Sequence, residues 1–300
     1  MKKFLSILCL GLALFSASPA NATINIFACE PEWGALAEEI GGDKVKVTNA
    51  ITAHEDPHHV KAKPSLIAAI RNADVVICSG AGLEVGWLPI LMQKSGAGVQ
   101  TGQPGNIMVA DYVTVQGKPG AIDRSMGDIH PEGNPHLHLD PHNIGIAGGV
   151  LAQRLAEIDS SDAAYFQQRG KDFSTRWNAD ISRWQQEAAS LKGLPVVVHH
   201  EGWLYLENWL GLKRVAALEP KPGIPPTISH LEEVLQAVKQ HPAKAIIRTP
   251  YEEAKASEWL AEKSSIKALQ LPYTVGGDDK ATSLEAMFDD TITLLKGAAN

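Results

Sequence analysis

Nine of the 11 histidines of this 300-residue chain lie in three short windows, at 54–59, 130–142 and 199–200. They are His54, His58, His59, His130, His136, His138, His142, His199 and His200. A neutral imidazole is a ligand for zinc, copper, nickel and iron, and three or four such ligands satisfy a divalent ion. The three windows therefore predict one shared metal site.

The geometry of an extended chain limits how many ligands the second and third windows supply. Successive side chains of an extended segment point to opposite sides. His136 and His138 are two residues apart around a single leucine, and His199 and His200 are adjacent. We therefore expect one of His199 and His200 to face the ion while the other packs elsewhere. From His136 and His138 we also expect a single ligand, unless the segment turns.

The first window has a neighbouring carboxylate and a stiffened backbone. Pro57 restricts the loop, and Asp56 can orient the imidazole of His58 from outside the ligand shell. His58 is therefore the ligand expected from this window. His54 and His130 are expected either around the ligands or along the entry route of the ion.

A fourth ligand is less clearly indicated. The segment 273–279 follows the last predicted strand, and its glycines permit a close backbone approach to a site. Asp278 or Asp279 is the predicted fourth ligand, and Glu201 beside His200 is a further candidate. The alternative is that the two aspartates are solvated loop carboxylates.

The elements that must position these residues alternate along the chain. Apolar, β-branched runs are separated by amphipathic stretches of helical length, which predicts parallel α/β sheets covered by helices on both faces. The strands fall into two groups of four. The runs are 23–28, 44–49, 73–78 and 106–112, then 195–198, 213–218, 243–248 and 266–271, and the helical stretches include 31–41, 64–72, 227–240 and 252–264.

A long stretch without proline separates the two groups of strands. From about 160 to 192 its apolar residues recur every three to four positions, which predicts one helix of roughly 30 residues, about 45 Å long. We therefore expect an N-terminal α/β lobe at 23–155, a linking helix at 156–192 and a C-terminal α/β lobe at 193–300. Ligands of open α/β sheets bind beyond the carboxyl ends of the strands, so the metal site is expected in the cleft between the lobes.

The N-terminus has the pattern of an export signal. Two lysines precede an apolar run, and Ala20-Asn21-Ala22 offers a cleavage site, so residues 1–22 are predicted to be a cleaved signal peptide. The net charge of −7 argues against nucleic acid and anionic membranes as principal partners. Cys29 and Cys78 end two predicted strands, and a disulfide between them is expected if those strands are neighbours. The alternative is two buried thiols.

Three motifs, in this order along the chain, resemble those of the zinc- and manganese-binding substrate-binding proteins of ABC transporters (cluster A-I). The resemblance covers nearly the whole chain after residue 22. Three departures are Val60 in place of the usual aromatic residue, His138 in place of the usual tryptophan, and a short segment, 126–130, in place of the long histidine-rich loop of many zinc-binding members. The motifs are Asp56-Pro57-His58 with Pro64-Ser65, Pro135-His136-Leu137-His138-Leu139-Asp140-Pro141, and His200-Glu201-Gly202-Trp203 with Leu210-Gly211-Leu212.

The resemblance implies a ligand set and a biological role. It identifies His58, His136 and His200 as ligands and leaves His59, His138 and His199 outside the ligand shell. A histidine as third ligand favours Zn(II) over Mn(II), because zinc prefers nitrogen donors. The implied protein is a monomeric periplasmic zinc carrier, not an enzyme, which delivers zinc to an inner-membrane permease and its ATPase, with a periplasmic zinc chaperone as a further partner.

A second function class shares part of this pattern. The run His136-x-His138-x-Asp140 resembles the core motif of secreted zinc metallohydrolases, in which an open coordination position activates water. Pro141 stands where the next histidine of that motif should be. Because proline restricts the backbone of a ligand loop, the transporter interpretation is favoured.

Overall fold

The computed structural model describes residues 23–120 and 127–299. The predicted signal peptide, 1–22, lies outside the described residues. Within the described part of the chain, none of the helices combines the length and the apolar character needed to cross a membrane.

Two four-stranded parallel sheets form the framework. The strand order is β2-β1-β3-β4 in the first sheet and β6-β5-β7-β8 in the second. The predicted fold class, two α/β lobes with parallel sheets, is confirmed. The strands are β1 (Ile24–Ala28), β2 (Val45–Asn49), β3 (Val75–Cys78), β4 (Asn106–Met108), β5 (Pro195–Val198), β6 (Lys213–Ala217), β7 (Ala245–Arg248) and β8 (Lys267–Gln270).

Helices cover both faces of each sheet. Several begin at a proline, whose fixed φ suits the first helical turn. Their bounds are α1 (Pro31–Gly41), α2 (Pro64–Arg71), α3 (Leu88–Met92), α4 (Pro141–Ile158), α5 (Ala163–Glu187), α6 (Leu204–Leu210), α7 (Ile228–Gln240), α8 (Lys255–Ser264) and α9 (Leu284–Ala299).

The buried apolar side chains form three layers. The outer face of the first sheet packs against α2 and α3, and the outer face of the second packs against α7 and α8. The inner faces of both sheets share one large cluster with α1, α4, α5, α6 and α9. Both faces of the central strands are buried, which explains why they are continuous apolar runs rather than alternating ones.

Helix α5 packs against both lobes. Phe173 contacts the region of Gly148 on α4, where a Cβ would stand 2.6 Å from the phenylalanine ring. Near the other end of α5, the ring of Trp184 lies 4.9 Å from that of Phe288 on α9 and 6.3 Å from that of Trp209 on α6. The helix therefore supports the two sheets from one side.

The observed helix is shorter than the sequence predicts. It spans 25 residues, not roughly 30. Before it, the Asp159 carboxylate accepts hydrogen bonds from the backbone N–H and hydroxyl of Ser161, at 3.0 and 2.5 Å, and this local turn competes with helix. After it, the chain tightens into a 3₁₀ turn at Ala189–Leu191.

The Cys29–Cys78 disulfide is confirmed. It joins the carboxyl ends of β1 and β3, which are paired in the first sheet. Both cysteines are fully buried in the outer apolar layer of this lobe. The bond therefore holds together the carboxyl ends of two neighbouring strands.

Candidate metal centre

Three histidines from three separate loops meet between the sheets. One ring nitrogen each of His58, His136 and His200 lies within 4.8 Å of the others. Their ring centroids are 5.3 Å (His58–His136), 5.6 Å (His58–His200) and 5.7 Å (His136–His200) apart. The loops follow β2, β4 and β5, so both lobes contribute.

His58 is oriented by the carboxylate two residues before it. The backbone N–H and Nδ1 of His58 lie 2.9 and 2.7 Å from Oδ1 of Asp56. Burial opposes the charged form of Asp56, but the His58 contacts outweigh it and lower the carboxyl pKa. The loop is fixed further by Trp87, whose Nε1 donates to the Pro57 carbonyl at 2.9 Å. Because Nδ1 faces Asp56, Nε2 of His58, which is buried without a hydrogen-bond partner, is the free ligand atom.

His200 is oriented by a carboxylate from the neighbouring strand. Its Nδ1 lies 2.7 Å from Oε2 of Glu219, just after β6, and the same oxygen accepts the Gly223 N–H at 2.9 Å. Burial opposes a charged imidazole, yet the Glu219 carboxylate outweighs burial and raises the pKa of His200. Such a carboxylate–histidine pair fixes the tautomer and ring orientation of a metal ligand.

His136 is the most deeply buried of the three. Its side chain is 1% exposed, and neither ring nitrogen has a hydrogen-bond partner among the described residues. Burial, followed by repulsion from His58 and His200, lowers its pKa well below the ordinary value. It is therefore neutral at pH 7, which is the form that binds metal.

Gly202 has no side chain, which leaves room for the rings of His136 and His200 to approach each other. A Cβ at this position would stand 3.1 Å from Cδ2 of both His136 and His200 and 2.7 Å from the Tyr273 hydroxyl. Any larger residue would push into the histidine group. The sequence pattern alone does not show that position 202 must lack a side chain, although Gly202 lies two residues after a predicted ligand.

A cleft of about 820 Å³ opens beside the histidine group. His58 and His200 lie on its wall together with acidic side chains from both lobes. One of them, Glu252, follows β7, and burial raises its carboxyl pKa to about 7. Carboxylates along this approach favour a cation over an anion. The acidic residues on the wall are Asp56, Asp128, Glu219, Glu252 and Glu253.

A group of three imidazoles between two parallel α/β sheets has a counterpart among known families. The family model described as "Zinc-uptake complex component A periplasmic", ZnuA, matches residues 26–298. The chain belongs to the ZnuA family. The match covers both sheets and all three histidine windows.

Curated relatives of this chain are distant. The high-affinity zinc uptake system protein ZnuA of Brucella abortus is 26% identical over 120 residues, which are 40% of this chain and 36% of that protein. The chain thus matches about a third of that relative's length. The metal ABC transporter substrate-binding lipoprotein FimA of Streptococcus parasanguinis is 22% identical over 260 residues, 80% of each chain.

Solved structures share the fold. A crystal structure of ZnuA superposes with a TM-score of 0.71 at 20% identity, covering 92% of this chain and 97% of that one. A Cd-bound periplasmic metal-binding protein from Candidatus Liberibacter asiaticus gives a TM-score of 0.74 at 18% identity, covering 91% and 98%. At these identities the likeness establishes the fold.

His138 lies beside the histidine group but faces away from it. Its Nε2 is 2.9 Å from the Tyr273 carbonyl, and its Nδ1 is 3.0 Å from Oε1 of Glu32. Leu137–Leu139 form a 3₁₀ turn, which is the alternative that the sequence left open, and the two histidines point in different directions. A hydrolase site that uses both His136 and His138 finds no support in this geometry.

The other histidines surround the group. The ring of His130 lies 5.3 Å from that of His58, and burial lowers the pKa of His130 to about 4. His54 and His199 line the cleft. His59 is exposed, with Nε2 3.7 Å from Oδ2 of Asp128.

The carboxylates predicted as fourth ligands are engaged elsewhere. Oδ1 of Asp278 accepts the backbone N–H groups of Lys280 and Ala281, at 2.9 and 2.8 Å. Asp279 is exposed, and Glu201 forms an ion pair with Arg214 at 3.1 Å. Among the described residues, none of the three belongs to the histidine group.

Proposed function

We propose that this chain is a periplasmic zinc-binding protein that captures Zn(II) with His58, His136 and His200 and delivers it to an inner-membrane metal ABC permease and its ATPase. The observation that carries the proposal is the group of three imidazoles contributed by both lobes. The carboxylates that hold His58 and His200 support this proposal, because metal-binding histidines are commonly oriented by such partners. The protein acts by binding and release, not by catalysis.

The donor set supports zinc as the cargo. Three nitrogen donors suit Zn(II), whereas Mn(II) prefers oxygen ligands. Relatives of the chain carry names for zinc, iron or unspecified metal transport, so the choice rests on this chain's own ligands. We propose that water from the cleft completes the tetrahedron, since Asp278 binds its own loop and Asp279 is exposed.

The domain organisation follows the same proposal. Residues 1–22 direct export, 23–155 and 193–300 are the two lobes, and 156–192 contain the connecting helix. The protein works as a monomer, because each chain supplies all three ligands. A periplasmic zinc chaperone is a further proposed partner.

Competition titration against a zinc chelator tests the proposal. We expect one zinc per chain, and we expect His58→Ala, His136→Ala and His200→Ala each to weaken binding at least about 100-fold, because each removes a direct ligand. His142→Ala is the matched control: its Nδ1 also lies 2.7 Å from an aspartate oxygen, yet His142 is exposed and outside the group. Unchanged zinc affinity in the three ligand variants would reject the site.

Delivery requires a separate measurement. Zinc-loaded protein should stimulate zinc uptake by proteoliposomes that contain the metal ABC permease and ATPase of the same organism. His136→Ala should not stimulate uptake at the same zinc concentration. Tight zinc binding without stimulation by the wild type would retain the binding site and reject the transport role.

A further inference from the structure

A second set of metal-ligand side chains lies in the first lobe and shares no residue with the histidine group. Sγ of Cys29, Sγ of Cys78 and a carboxylate oxygen of Glu84 all lie within 4.8 Å of one another. The three residues are buried, with exposures of 0%, 0% and 3%. They meet where β1 and β3 end, and the two sulfurs form the disulfide described above.

A second buried carboxyl group adjoins this set. Glu30 follows Cys29 in the chain and is 3% exposed. Its Oε2 accepts the backbone N–H and the hydroxyl of Ser79, both at 3.3 Å, while its Oε1 is buried without a hydrogen-bond partner. Burial and the neighbouring Glu84 charge raise its pKa well above the ordinary value, and burial raises that of Glu84 to about 7.

The two acids are neighbours in the disulfide form, and both carboxylate oxygens of Glu84 accept the Gly80 N–H, at 3.1 and 3.2 Å. Two carboxyl groups side by side in a dry environment cannot both ionise without a compensating positive charge. Among the described residues, neither Glu30 nor Glu84 forms an ion pair with a lysine, arginine or histidine. The part of the site that holds the acids is therefore suited to a cation, while the disulfide occupies the sulfur donors.

We propose that reduction of the Cys29–Cys78 disulfide creates a second divalent-metal site, with the two thiolates and Glu84 as ligands and Glu30 as the fourth donor, for a thiophilic ion such as zinc. Thiolate and carboxylate together are zinc ligands, and a buried set of four suits a closed structural site. None of these donors belongs to the histidine group, so the oxidised chain binds one metal ion and the reduced chain binds two.

The chemistry of the switch balances with a dithiol or phosphine as reductant. The S–S bond accepts two electrons and two protons to give two thiols. A dithiol supplies both and becomes a disulfide, whereas a phosphine becomes a phosphine oxide with the oxygen and the two protons taken from water. Metal binding then releases both thiol protons, because the thiolate is the ligand. It also releases any proton shared by Glu30 and Glu84.

Cobalt(II) binding to the mature chain tests this proposal, because thiolate–cobalt coordination produces a charge-transfer band that imidazole ligands do not. The background variant is His136→Ala, which disables the histidine site. After phosphine reduction without oxygen, we expect one equivalent of cobalt and a charge-transfer band, and in the oxidised protein we expect no such band. Circular dichroism of each sample establishes that the chain is folded.

A second variant distinguishes a site in which a carboxylate is a ligand from cobalt binding by the two thiolates alone. Glu84→Gln in the same reduced background should weaken cobalt binding at least about tenfold, since even residues that only orient a ligand contribute that much. Glu38→Gln, an exposed acid on α1, should not change it. The proposal is wrong if the reduced protein gives no charge-transfer band. It is also wrong if Glu84→Gln leaves cobalt binding unchanged, which is the result expected for a chain that reduction has unfolded.

Discussion

The three histidines are not equivalent as ligands. Burial and its histidine neighbours keep the pKa of His136 low, whereas the Glu219 carboxylate raises the pKa of His200. Metal competes with protons for each ring nitrogen. As pH falls, His200 is therefore protonated before His136, so of these two ligands His200 is the first to lose zinc on acidification.

Glu219→Gln tests this assignment. At pH 8 we expect zinc binding to weaken by about 10- to 100-fold, because Nδ1 of His200 loses the carboxylate that orients it. Because the variant also removes the charge that stabilises the imidazolium, the pKa of His200 falls, and the further loss of affinity on acidification starts at a lower pH. Dissociation constants between pH 5 and pH 8 measure both effects.

The control for this variant is Glu201→Gln, which is adjacent to His200 but forms an ion pair with Arg214. It should leave both the affinity and its pH profile close to those of the wild type. A Glu219→Gln protein with wild-type affinity at pH 8 and an unshifted profile would contradict the role given to this carboxylate.

The sequence predicted much of the site, including the Asp56 carboxylate that orients His58, but not the carboxylate that orients His200. The motifs indicate His58, His136 and His200, and the structure brings them together. Glu219 is 19 residues from His200 and reaches it because β5 and β6 are adjacent in the sheet. A carboxylate partner that is distant in the sequence can be identified only once the order of the strands in the sheet is known.

Asp278 is a predicted ligand whose carboxylate has other partners in the structure. An aspartate in a glycine-rich loop at a strand end has the composition of a metal ligand. It also has the composition of a turn in which the carboxylate accepts nearby backbone N–H groups. The structure has the second arrangement, and the sequence alone does not distinguish the two.

At the scale of the elements, alternation of strands and helices was predictable because buried parallel strands are continuous apolar runs. The boundaries of the strands and helices were less predictable, because local hydrogen bonds decide where each element begins and ends. The predicted strand 106–112 ends at Met108, where Val109–Asp111 form a 3₁₀ turn. The start of α5 is set by the Asp159 turn in the same way.

Helix α5 depends on its aromatic contacts with the second lobe. Trp184 is fully buried, and its Nε1 donates to Oδ1 of Asp289 on α9 at 2.6 Å. Trp184→Ala should lower the free energy of unfolding by about 3–5 kcal/mol, because it leaves a cavity where the helix meets α6 and α9. Urea denaturation followed by circular dichroism measures this change.

Asn178→Ala, on the exposed face of the same helix, is the control and should change stability by less than about 0.5 kcal/mol. Equal stability of the Trp184→Ala protein and the wild type would mean that α5 does not anchor the second lobe.

At the scale of the whole molecule, the two sheets are not independent bodies. They share one apolar layer, and polar contacts also cross between them. Thr274 donates to Oε2 of Glu32 at 2.5 Å, and His138 lies between Glu32 and the Tyr273 carbonyl. Opening the cleft widely would expose this layer to water, so zinc binding is expected to proceed with small movements of the lobes.

Small-angle X-ray scattering of the zinc-free and zinc-loaded protein tests the extent of movement. We expect radii of gyration that agree within experimental error, because the shared layer and α5 hold the lobes together. A clear compaction on zinc binding, like that of a hinged two-domain protein, would contradict a rigid arrangement.

The central claim is that one zinc ion is bound by His58, His136 and His200. Anomalous diffraction at the zinc absorption edge, from crystals of the zinc-loaded protein, tests it most directly. We expect one strong anomalous peak in the cleft, about 2.0–2.1 Å from one ring nitrogen of each histidine. A strong peak elsewhere, with the three imidazoles free of metal, would contradict it.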